Sequence, residues 1–238
     1  LISVGGWAET GGYFDATGRR VNSGGFYSMT TNADGSINTA GINTFADSVV
    51  AFLRKYNFDG VDIDYENKLA DTRPYFSQFL KELYKAMGNK WVMCTIESRM
   101  PLDSRFTEIP DDIEYANDLP TINKYCDRVR IMAYDQQGID QALAAQAASS
   151  SQLYAPVADA AWVKKVVELA KKSIKPSKIM IGVPTYGYEY DVTAYANNEY
   201  VYKILWTFNP GYAKQIMTQY GITPMRNSPL RPSRRRAN

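Results

Sequence analysis

Strand-like and helix-like segments alternate along this 238-residue chain, and this alternation most limits the folds open to it. Short apolar runs typical of strands are separated by segments in which apolar residues recur at helical spacing. Strands are predicted at residues 1–5, 58–65, 91–96, 128–134 and 178–184. Because strands that alternate with helices build βαβ units, the pattern predicts a parallel sheet covered by helices.

Helices are predicted at residues 42–53, 76–87, 111–125, 159–173 and 209–221. Residues 10–39, rich in Gly, Ser, Thr and Asn, are predicted to form a long loop. Five strands are too few for a closed eight-stranded barrel, but their spacing fits the middle of one. An open doubly wound sheet is the alternative, although no glycine fingerprint or P-loop follows the first strand. The sequence shows no domain boundary and no internal repeat.

The chain contains no histidine. This excludes a Ser-His-Asp or Cys-His nucleophile, a histidine-ligated zinc and a histidine general base, so acid–base chemistry must come from carboxylates, Lys or Tyr. The two cysteines, Cys94 and Cys126, are too few for a four-thiolate metal site. Two reduced, buried cysteines are favoured over one disulfide.

The formal net charge of +2 depends on the end of the chain, where four arginines lie between Arg231 and Arg236. The rest of the sequence carries slightly more acidic than basic residues and no basic stripe, so no nucleic-acid surface is expected. No run of about 18 apolar residues could cross a bilayer. Residues 228–238 are predicted to be a basic tail, disordered or left by truncation, outside the fold.

The most informative segment is Phe58-Asp-Gly-Val-Asp-Ile-Asp-Tyr-Glu66. Alternate residues of a strand share one face, so Asp62, Asp64 and Glu66 point one way and the apolar residues between them point the other. At about 3.3 Å per residue, the outer two carboxylates lie about 13 Å apart. Three like charges in a partly desolvated row keep at least one carboxyl group protonated near neutral pH. A protonated acid beside an ionised one is what general acid catalysis needs without histidine.

Two other interpretations of this acidic row are open from the residues alone. The carboxylates could bind Ca²⁺ or Mg²⁺ through their oxygens, or the acidic strand end could simply be solvated. An EF-hand loop needs a glycine at its sixth position, where this chain has Asn67. Catalysis is therefore favoured over both alternatives.

Three short motifs resemble the SxGG, DGxDxDxE and MxYD motifs of glycoside hydrolase family 18, the chitinases and their relatives. They occur in the family's order, each at the end of a predicted strand, and together they are highly specific. The matching segments are Ser3-Val-Gly5-Gly6, Asp59-Gly60-Val-Asp62-Ile-Asp64-Tyr-Glu66 and Met132-Ala-Tyr134-Asp135. Residues expected to support the motifs are Ser3, Gly5, Gly6, Asp59, Gly60 and Met132.

The resemblance implies an α/β (β/α)8 TIM barrel with its site at the C-terminal ends of the strands, lacking here the first two strands and the last one. It also implies substrate-assisted, retaining glycoside hydrolysis. In that mechanism Glu66 is the general acid/base, and Asp64 orients the 2-acetamido group whose carbonyl oxygen attacks the anomeric carbon. Asp62 shares a proton with Asp64, and Tyr134 and Asp135 hydrogen-bond the acetamido group and the distorted sugar. No cofactor and no metal are expected.

Sugar rings present apolar faces that stack on aromatic side chains. Contacts with substrate are predicted for four aromatic residues near strand ends, namely Trp7, Tyr65, Tyr186 and Tyr188. Many family members read Tyr-Gly-Arg after the strand predicted at residues 178–184. This chain reads Tyr186-Gly-Tyr188 there, which resembles branches that include spore-cortex N-acetylglucosaminidases.

The resemblance covers residues 1–227 as a partial catalytic barrel and implies hydrolysis of β-1,4-linked N-acetylglucosamine polymers, chitin first. The expected partner is a polysaccharide or oligosaccharide that contains N-acetylglucosamine, with no nucleic acid and no membrane span. The protein is expected to be a monomer that is extracellular or associated with a cell wall. The alternatives are a peptidoglycan or N-glycan N-acetylglucosaminidase of the same family, and a non-catalytic chitin-binding lectin on the same fold. Such lectins usually lack the acid, whereas Glu66 is present here.

Overall fold

The computed structural model divides the chain into two compact units, which we describe separately. The first unit comprises Leu1–Arg99, Pro110–Met132 and Glu168–Gly182, and the second comprises Met100–Ile109, Ala133–Val167 and Val183–Asn238. The structure describes residues 1–7, 12–14, 16–17, 20–22, 24–106, 108–109, 111, 113–136, 153–196 and 200–224. The predicted basic tail lies outside these ranges. Within them, no helix is both long enough and apolar enough to cross a membrane.

A five-stranded parallel sheet organises the first unit. In sheet order, its strands are β1 (Ile2–Gly6), β4 (Gly60–Tyr65), β5 (Trp91–Glu97), β6 (Arg128–Met132) and β7 (Ile179–Ile181). Every neighbouring pair in this sheet runs parallel. The five strands coincide with the five predicted ones, so the predicted parallel sheet is confirmed.

Two amphipathic helices, α2 (Thr39–Lys55) and α3 (Arg73–Met87), pack on β4 and β5. Asn38 caps α2 by accepting a hydrogen bond from the Gly41 N–H at 2.9 Å, and Pro74 lies in the first turn of α3, where proline is tolerated. Their buried faces are the apolar residues that the helical spacing predicts. These are Ile42, Ala46, Val49, Val50 and Leu53 in α2, and Phe76, Phe79, Leu80, Leu83 and Met87 in α3.

The apolar face of β4 forms the centre of the core. Val61 and Ile63 are fully buried, and Tyr65 is 4% exposed. The Tyr65 ring centroid lies 4.7 Å from that of Phe26 and 5.8 Å from that of Phe79. This burial among phenylalanines does not fit the predicted role of Tyr65 in stacking on a sugar. The period-two alternation of β4, which puts Tyr65 on the same face as Val61 and Ile63, describes its position better than the predicted contact with substrate.

The predicted loop over residues 10–39 contains regular structure instead. An antiparallel hairpin joins β2 (Gly12–Phe14) to β3 (Arg20–Asn22), and a short helix, α1 (Gly25–Thr30), follows. Phe26 of α1 is 2% exposed and packs in the aromatic core. One buried aromatic side chain thus fixes a helix that a polar, glycine-rich composition does not indicate.

The helix predicted at residues 111–125 is shorter than expected. Helix α4 (Leu119–Tyr125) begins after Asp118, whose side chain accepts a hydrogen bond from the Thr121 N–H at 3.1 Å. Pro120 occupies the first turn of α4. A capping aspartate followed by a proline is a helix start signal, which explains why the helix does not begin earlier.

Cys94 and Cys126 form a disulfide, so the prediction of two reduced cysteines was wrong. Cys94 lies in β5, and Cys126 follows α4 just before β6. Because β5 and β6 are neighbours in the sheet, the two Cα atoms lie 5.9 Å apart, within reach of a disulfide. Both residues are fully buried. This proximity depends on strand order, which a cysteine count does not contain.

Further along the chain, α5 (Ala160–Ala170) and α6 (Pro210–Tyr220) confirm the helices predicted there. The second unit also contains an antiparallel hairpin of β8 (Gly187–Ala194) and β9 (Tyr200–Phe208), which was not predicted. The alternation of aromatic and polar residues in Tyr186-Gly-Tyr-Glu-Tyr-Asp191 is typical of a strand and indicates the first strand of this hairpin.

Candidate active site

The acidic row begins on β4 and ends just beyond it. Asp62 and Asp64 alternate with the buried Val61 and Ile63, and Glu66 directly follows the last residue of the strand. Asp62 is 3% exposed, whereas Asp64 and Glu66 are half-buried. The row therefore changes from buried to partly solvated toward the C-terminal end of β4.

Asp62 is bound by residues of the next two strands of the sheet. The Thr95 hydroxyl, on β5, donates to both carboxylate oxygens at 2.8 and 3.1 Å, and the Arg130 guanidinium, on β6, donates to Oδ2 at 3.0 Å. Burial raises the pKa of Asp62, and the hydrogen bond from Thr95 and the charge of Arg130 act against that rise. The strongest contacts of Asp62 are thus with Thr95 and Arg130, neither of which was a predicted site residue.

The sequence does hold a signal for Arg130. The residue lies in a short apolar strand and alternates with Val129 and Ile131, both of which are buried. A central parallel strand is covered on both faces, so a positive charge within it needs a carboxylate partner. Only the register of β4, β5 and β6 identifies that partner as Asp62.

Asp64 has one oxygen that no described residue satisfies. Its Oδ1 is buried and accepts no hydrogen bond from the described part of the chain. Burial raises the pKa of Asp64 most, and the charges of Asp62 and Glu97 raise it further. Arg130 and Lys68 oppose this shift. A carboxyl group with a raised pKa and an unsatisfied buried oxygen is poised to bind a polar group of a ligand.

The turn after β4 carries Glu66. Asn67 has a φ of +55°, a left-handed conformation that asparagine tolerates better than most residues. Its N–H donates to Glu97 Oε1 at 2.6 Å, and Lys68 Nζ donates to the carbonyl oxygen of Tyr65. Neither Glu97 nor Lys68 was a predicted site residue. Lys68 and Glu97 thus bind the backbone before and after Glu66, respectively.

The glycines of the first motif allow β1 to approach β4 closely. In the parallel register, Ser3 pairs with Asp62 and Gly5 pairs with Asp64. A Cβ on Gly5 would lie 2.6 Å from the Asp64 carbonyl oxygen, and Gly5 has a φ of +118°. Gly6 also has a positive φ, +94°, but a Cβ there would meet no atom within 4 Å. Gly5 is thus needed for both space and backbone conformation, whereas Gly6 is needed for conformation alone.

We predict that Gly5→Ala lowers the free energy of unfolding by about 3 kcal/mol or more, because it combines backbone strain with a clash against β4. The matched variant Gly6→Ala should lower it by only about 1–2 kcal/mol, the cost of the left-handed conformation. Urea denaturation of the two variants and the unmutated protein measures the difference. Equal losses for both variants would contradict the close-approach role of Gly5.

The third motif leads from the first unit into the second. Met132 ends β6, and Tyr134 and Asp135 follow it in the second unit. Asp135 has a φ of +57°, and its Oδ1 accepts hydrogen bonds from the hydroxyl groups of Tyr186 and Tyr188, each at 2.5 Å. The Tyr134 and Tyr186 rings pack edge to face with centroids 6.3 Å apart. The predicted residues of this region, Tyr134, Asp135, Tyr186 and Tyr188, therefore form one cluster.

An open depression of about 420 Å³ lies beside this tyrosine cluster. Its lining is polar and aromatic, and consists of Asp135, Tyr186, Tyr188, Thr207, Phe208 and Asn209. Burial raises the pKa of Tyr186, and its hydrogen bond to Asp135 raises it further, so the phenol stays protonated. The depression thus offers hydroxyl and carboxylate groups beside aromatic rings, a surface suited to a sugar.

The remaining predicted residues lie at strand ends. Trp7 directly follows β1 and is 68% exposed. Asp59 is exposed and precedes β4, where its carbonyl oxygen accepts a hydrogen bond from the Trp91 N–H at 3.0 Å. A Cβ on Gly60 would lie 2.2 Å from the Trp91 carbonyl oxygen, so this glycine permits close strand approach. Among the described residues, no group of three or more His, Cys, Asp or Glu could hold a metal ion.

Carboxylates at the C-terminal end of a parallel strand lie where (β/α)8-barrel enzymes have their active sites. The chain matches the family described as Glycosyl hydrolases family 18 over residues 1–230, and it belongs to that family. Chitinase A1 from Niallia circulans is 27% identical over 224 residues, which cover 83% of this chain and 28% of that protein.

Solved structures agree with this assignment. A family GH18 chitinase from Chromobacterium violaceum is 31% identical with a TM-score of 0.55, and the match covers 83% of this chain and 34% of that one. A GH18 chitinase from Cycas revoluta, solved in complex with (GlcNAc)4, is 18% identical with a TM-score of 0.59, covering 92% and 61%. These neighbours confirm the predicted (β/α)8 barrel class. The chain spans 28% to 39% of the length of three curated relatives that it matches.

Proposed function

We propose that this chain carries the catalytic machinery of a chitinase-like glycosidase that hydrolyses β-1,4-linked N-acetylglucosamine polymers. The observation that carries the proposal is the pair of carboxyl groups at the C-terminal end of β4, in a chain that belongs to family 18. Glu66 is half-buried at the strand end, and Asp64, two residues earlier, has a raised pKa and a buried oxygen in need of a donor. Both features fit catalysis by carboxyl groups without histidine.

In the proposed mechanism, Glu66 gives its proton to the glycosidic oxygen as the bond to the anomeric carbon breaks. The carbonyl oxygen of the substrate's own 2-acetamido group attacks that carbon and forms an oxazolinium ion, while Asp64 accepts a hydrogen bond from the acetamido N–H. Glu66, now ionised, removes a proton from water, which opens the oxazolinium ion with net retention of configuration. No carboxylate of the protein forms a bond to the sugar.

Asp62 and the tyrosine cluster have supporting roles in this proposal. The charge of Asp62 raises the pKa of Asp64 and so favours a proton on Asp64 before substrate binds. The family resemblance, rather than geometry, assigns Tyr134 and Asp135 to hydrogen bonds with the acetamido group and the distorted sugar. We place the protein outside the cell or at a cell wall, where such polymers occur.

The test is hydrolysis of a fluorogenic N,N′-diacetylchitobioside by the purified full-length protein, with and without a chelator. Release of the fluorophore that the chelator does not reduce supports the proposal. Loss of hydrolysis on chelation would contradict metal-free acid catalysis. Binding of chitin without hydrolysis would support a lectin instead.

A peptidoglycan or N-glycan N-acetylglucosaminidase is the second candidate. The observation that favours it is the segment Tyr186-Gly-Tyr188, in which a tyrosine replaces the arginine of many chitinases. Both tyrosines bind Asp135, so the replacement lies within the tyrosine cluster rather than at a distant surface. Hydrolysis of purified peptidoglycan or N-glycan at a higher kcat/KM than chitin oligosaccharides would select this candidate.

A further inference from the structure

Lys68 is a buried cation beside the acidic row. Its side chain is 1% exposed, and its ammonium lies 4.6 Å from the centroid of the Phe76 ring and donates to the Tyr65 carbonyl oxygen. Removing an ammonium group from water is unfavourable unless carboxylates and hydrogen bonds compensate for it. The compensating carboxylate in contact is Glu97, whose Oε2 lies 3.9 Å from Lys68 Nζ.

Glu97, at the end of β5, connects Lys68 to the turn after β4. Its Oε1 accepts the Asn67 N–H at 2.6 Å, and its Oε2 accepts the Asn117 side-chain amide at 2.7 Å. Asn117 is itself held by Arg99, which donates to its carbonyl oxygen at 2.7 Å. Glu97 therefore joins three separate segments of the first unit.

Together, Lys68 and Glu97 bind the backbone on both sides of Glu66. Lys68 holds the carbonyl oxygen of the preceding residue, Tyr65, and Glu97 holds the N–H of the following residue, Asn67. Asn67 adopts a left-handed conformation, which asparagine tolerates better than most residues but which still costs free energy, so contacts from elsewhere help the turn to persist. The ion pair supplies those contacts.

We propose that Lys68 and Glu97 are positioning residues for the reaction, which hold the turn that presents Glu66 and balance the charge around Asp64. This inference rests on the proposed function. Neither residue touches the reacting atoms in it. They act through the backbone of Glu66 and through the electric field at the acidic row.

The electrostatic part of this role has opposite signs for the two residues. Lys68 lowers the pKa of Asp64, and Glu97 raises it. The other charged groups that act on Asp64 are Asp62, which raises its pKa, and Arg130, which lowers it. Conversely, burial lowers the pKa of Lys68, and Glu97, Asp64 and Glu66 raise it.

The experiment compares Lys68→Met and Glu97→Gln by the pH dependence of kcat/KM for the fluorogenic N,N′-diacetylchitobioside, using the full-length protein. Without the cation, the carboxyl groups of the acidic row hold their protons more tightly. The basic limb of the profile, where kcat/KM falls as pH rises, should therefore move to higher pH by about half a unit in Lys68→Met. Loss of the anion should move it to lower pH in Glu97→Gln. At the optimum, kcat should fall about tenfold to hundredfold in Lys68→Met with a smaller change in KM, because the acid is misplaced.

Matched controls come from an exposed ion pair, Lys171 and Glu168, whose Nζ and Oε1 atoms lie 3.0 Å apart. Lys171→Met and Glu168→Gln should leave both kcat and the pH profile unchanged. Lys68→Arg keeps the charge and should keep the basic limb in place. The double variant Lys68→Met, Glu97→Gln removes both charges and should return the limb toward its original pH while kcat stays low.

Thermal unfolding of each variant shows whether it folds. The double variant leaves neither member of the pair without the other, so it tests the proposal if a single variant does not fold. Equal kcat in all variants, or limbs that move in the same direction, would overturn the inference while the unmutated protein still hydrolyses substrate. An inactive unmutated protein would instead overturn the proposed function, and the inference with it. If the pair were merely structural, the variants would have lower unfolding midpoints, but the basic limb of the kcat/KM profile would not move in opposite directions in the two variants.

Discussion

Glu66→Gln is expected to lower kcat for N-acetylglucosamine oligosaccharides by about three orders of magnitude, with little change in KM. Glutamine has nearly the same shape as glutamate but cannot donate a proton to the glycosidic oxygen. No histidine exists in the chain to replace the lost acid. The measurement is steady-state hydrolysis of chitin oligosaccharides by the variant and the unmutated protein at the pH optimum.

The leaving group gives this prediction a second, sharper readout. A good leaving group needs little protonation, so a substrate that releases an acidic phenol should lose less activity in Glu66→Gln than a natural oligosaccharide loses. Glu168→Gln, an exposed glutamate on α5, is the matched control and should show full activity on both substrates. If Glu66→Gln and the control were equally active, the general acid would have to be another group.

The acidic row could be predicted because it depends on one strand. A period of two residues separates Asp62 and Asp64 from Val61 and Ile63, and a packed sheet can bury only the apolar set against helices. The structure shows this division, with helices α2 and α3 contacting the sheet at β4 and β5. Local periodicity was also sufficient for the five parallel strands, because each is a short apolar run between clear helices.

The partners of the row could not be predicted, because they depend on the register between strands. Arg130 lies 68 residues from Asp62, and Glu97 lies 30 residues from Asn67. Such contacts form only when β4, β5 and β6 are aligned in one particular way, and periodicity within one strand does not specify that alignment. The disulfide between Cys94 and Cys126 was missed for the same reason.

The hairpin of β8 and β9 was missed for a different reason. Its strands are rich in tyrosine, and only Tyr186 and Tyr188 in this region were considered from the sequence, for contact with substrate rather than for strand formation. In β8 and β9 successive tyrosine rings pack on one another, with centroids 5.9 Å apart for Tyr188 and Tyr190 and 5.7 Å for Tyr190 and Tyr202. The Tyr190–Tyr202 pair joins the two strands, and cross-strand aromatic pairs stabilise an antiparallel hairpin, so these tyrosines have a structural role.

The charge of Asp64 is less well compensated within the fold than that of Asp62. Its pKa is raised in the folded state, chiefly by burial, and its buried Oδ1 has no donor among the described residues. Between the ordinary pKa and the raised one, the folded protein binds more protons than the unfolded chain. The free energy of unfolding therefore falls as pH rises through that window, and Asp64 lowers the stability of the protein at neutral pH.

We therefore predict that Asp64→Asn removes most activity and yet stabilises the protein at pH 7. The gain should be small, roughly 0.5–1 kcal/mol, because the carboxyl group is partly solvated. No gain is expected at pH 3, where Asp64 is protonated in both the folded and unfolded states. Urea denaturation at the two pH values, together with hydrolysis of chitin oligosaccharides, tests both parts.

Asp62→Asn, two residues away on the same face of β4, is the matched contrast. Asp62 has Thr95 and Arg130 as partners, and an asparagine would leave the guanidinium of Arg130 without its carboxylate. Because burial also raises the pKa of Asp62, removal of its charge offsets part of this cost, and the net loss at pH 7 should be about 1 kcal/mol. Opposite changes in stability from the same substitution on one strand would show that Asp62 is satisfied within the fold and that Asp64 is not. A loss of stability in Asp64→Asn at pH 7 would contradict that distinction.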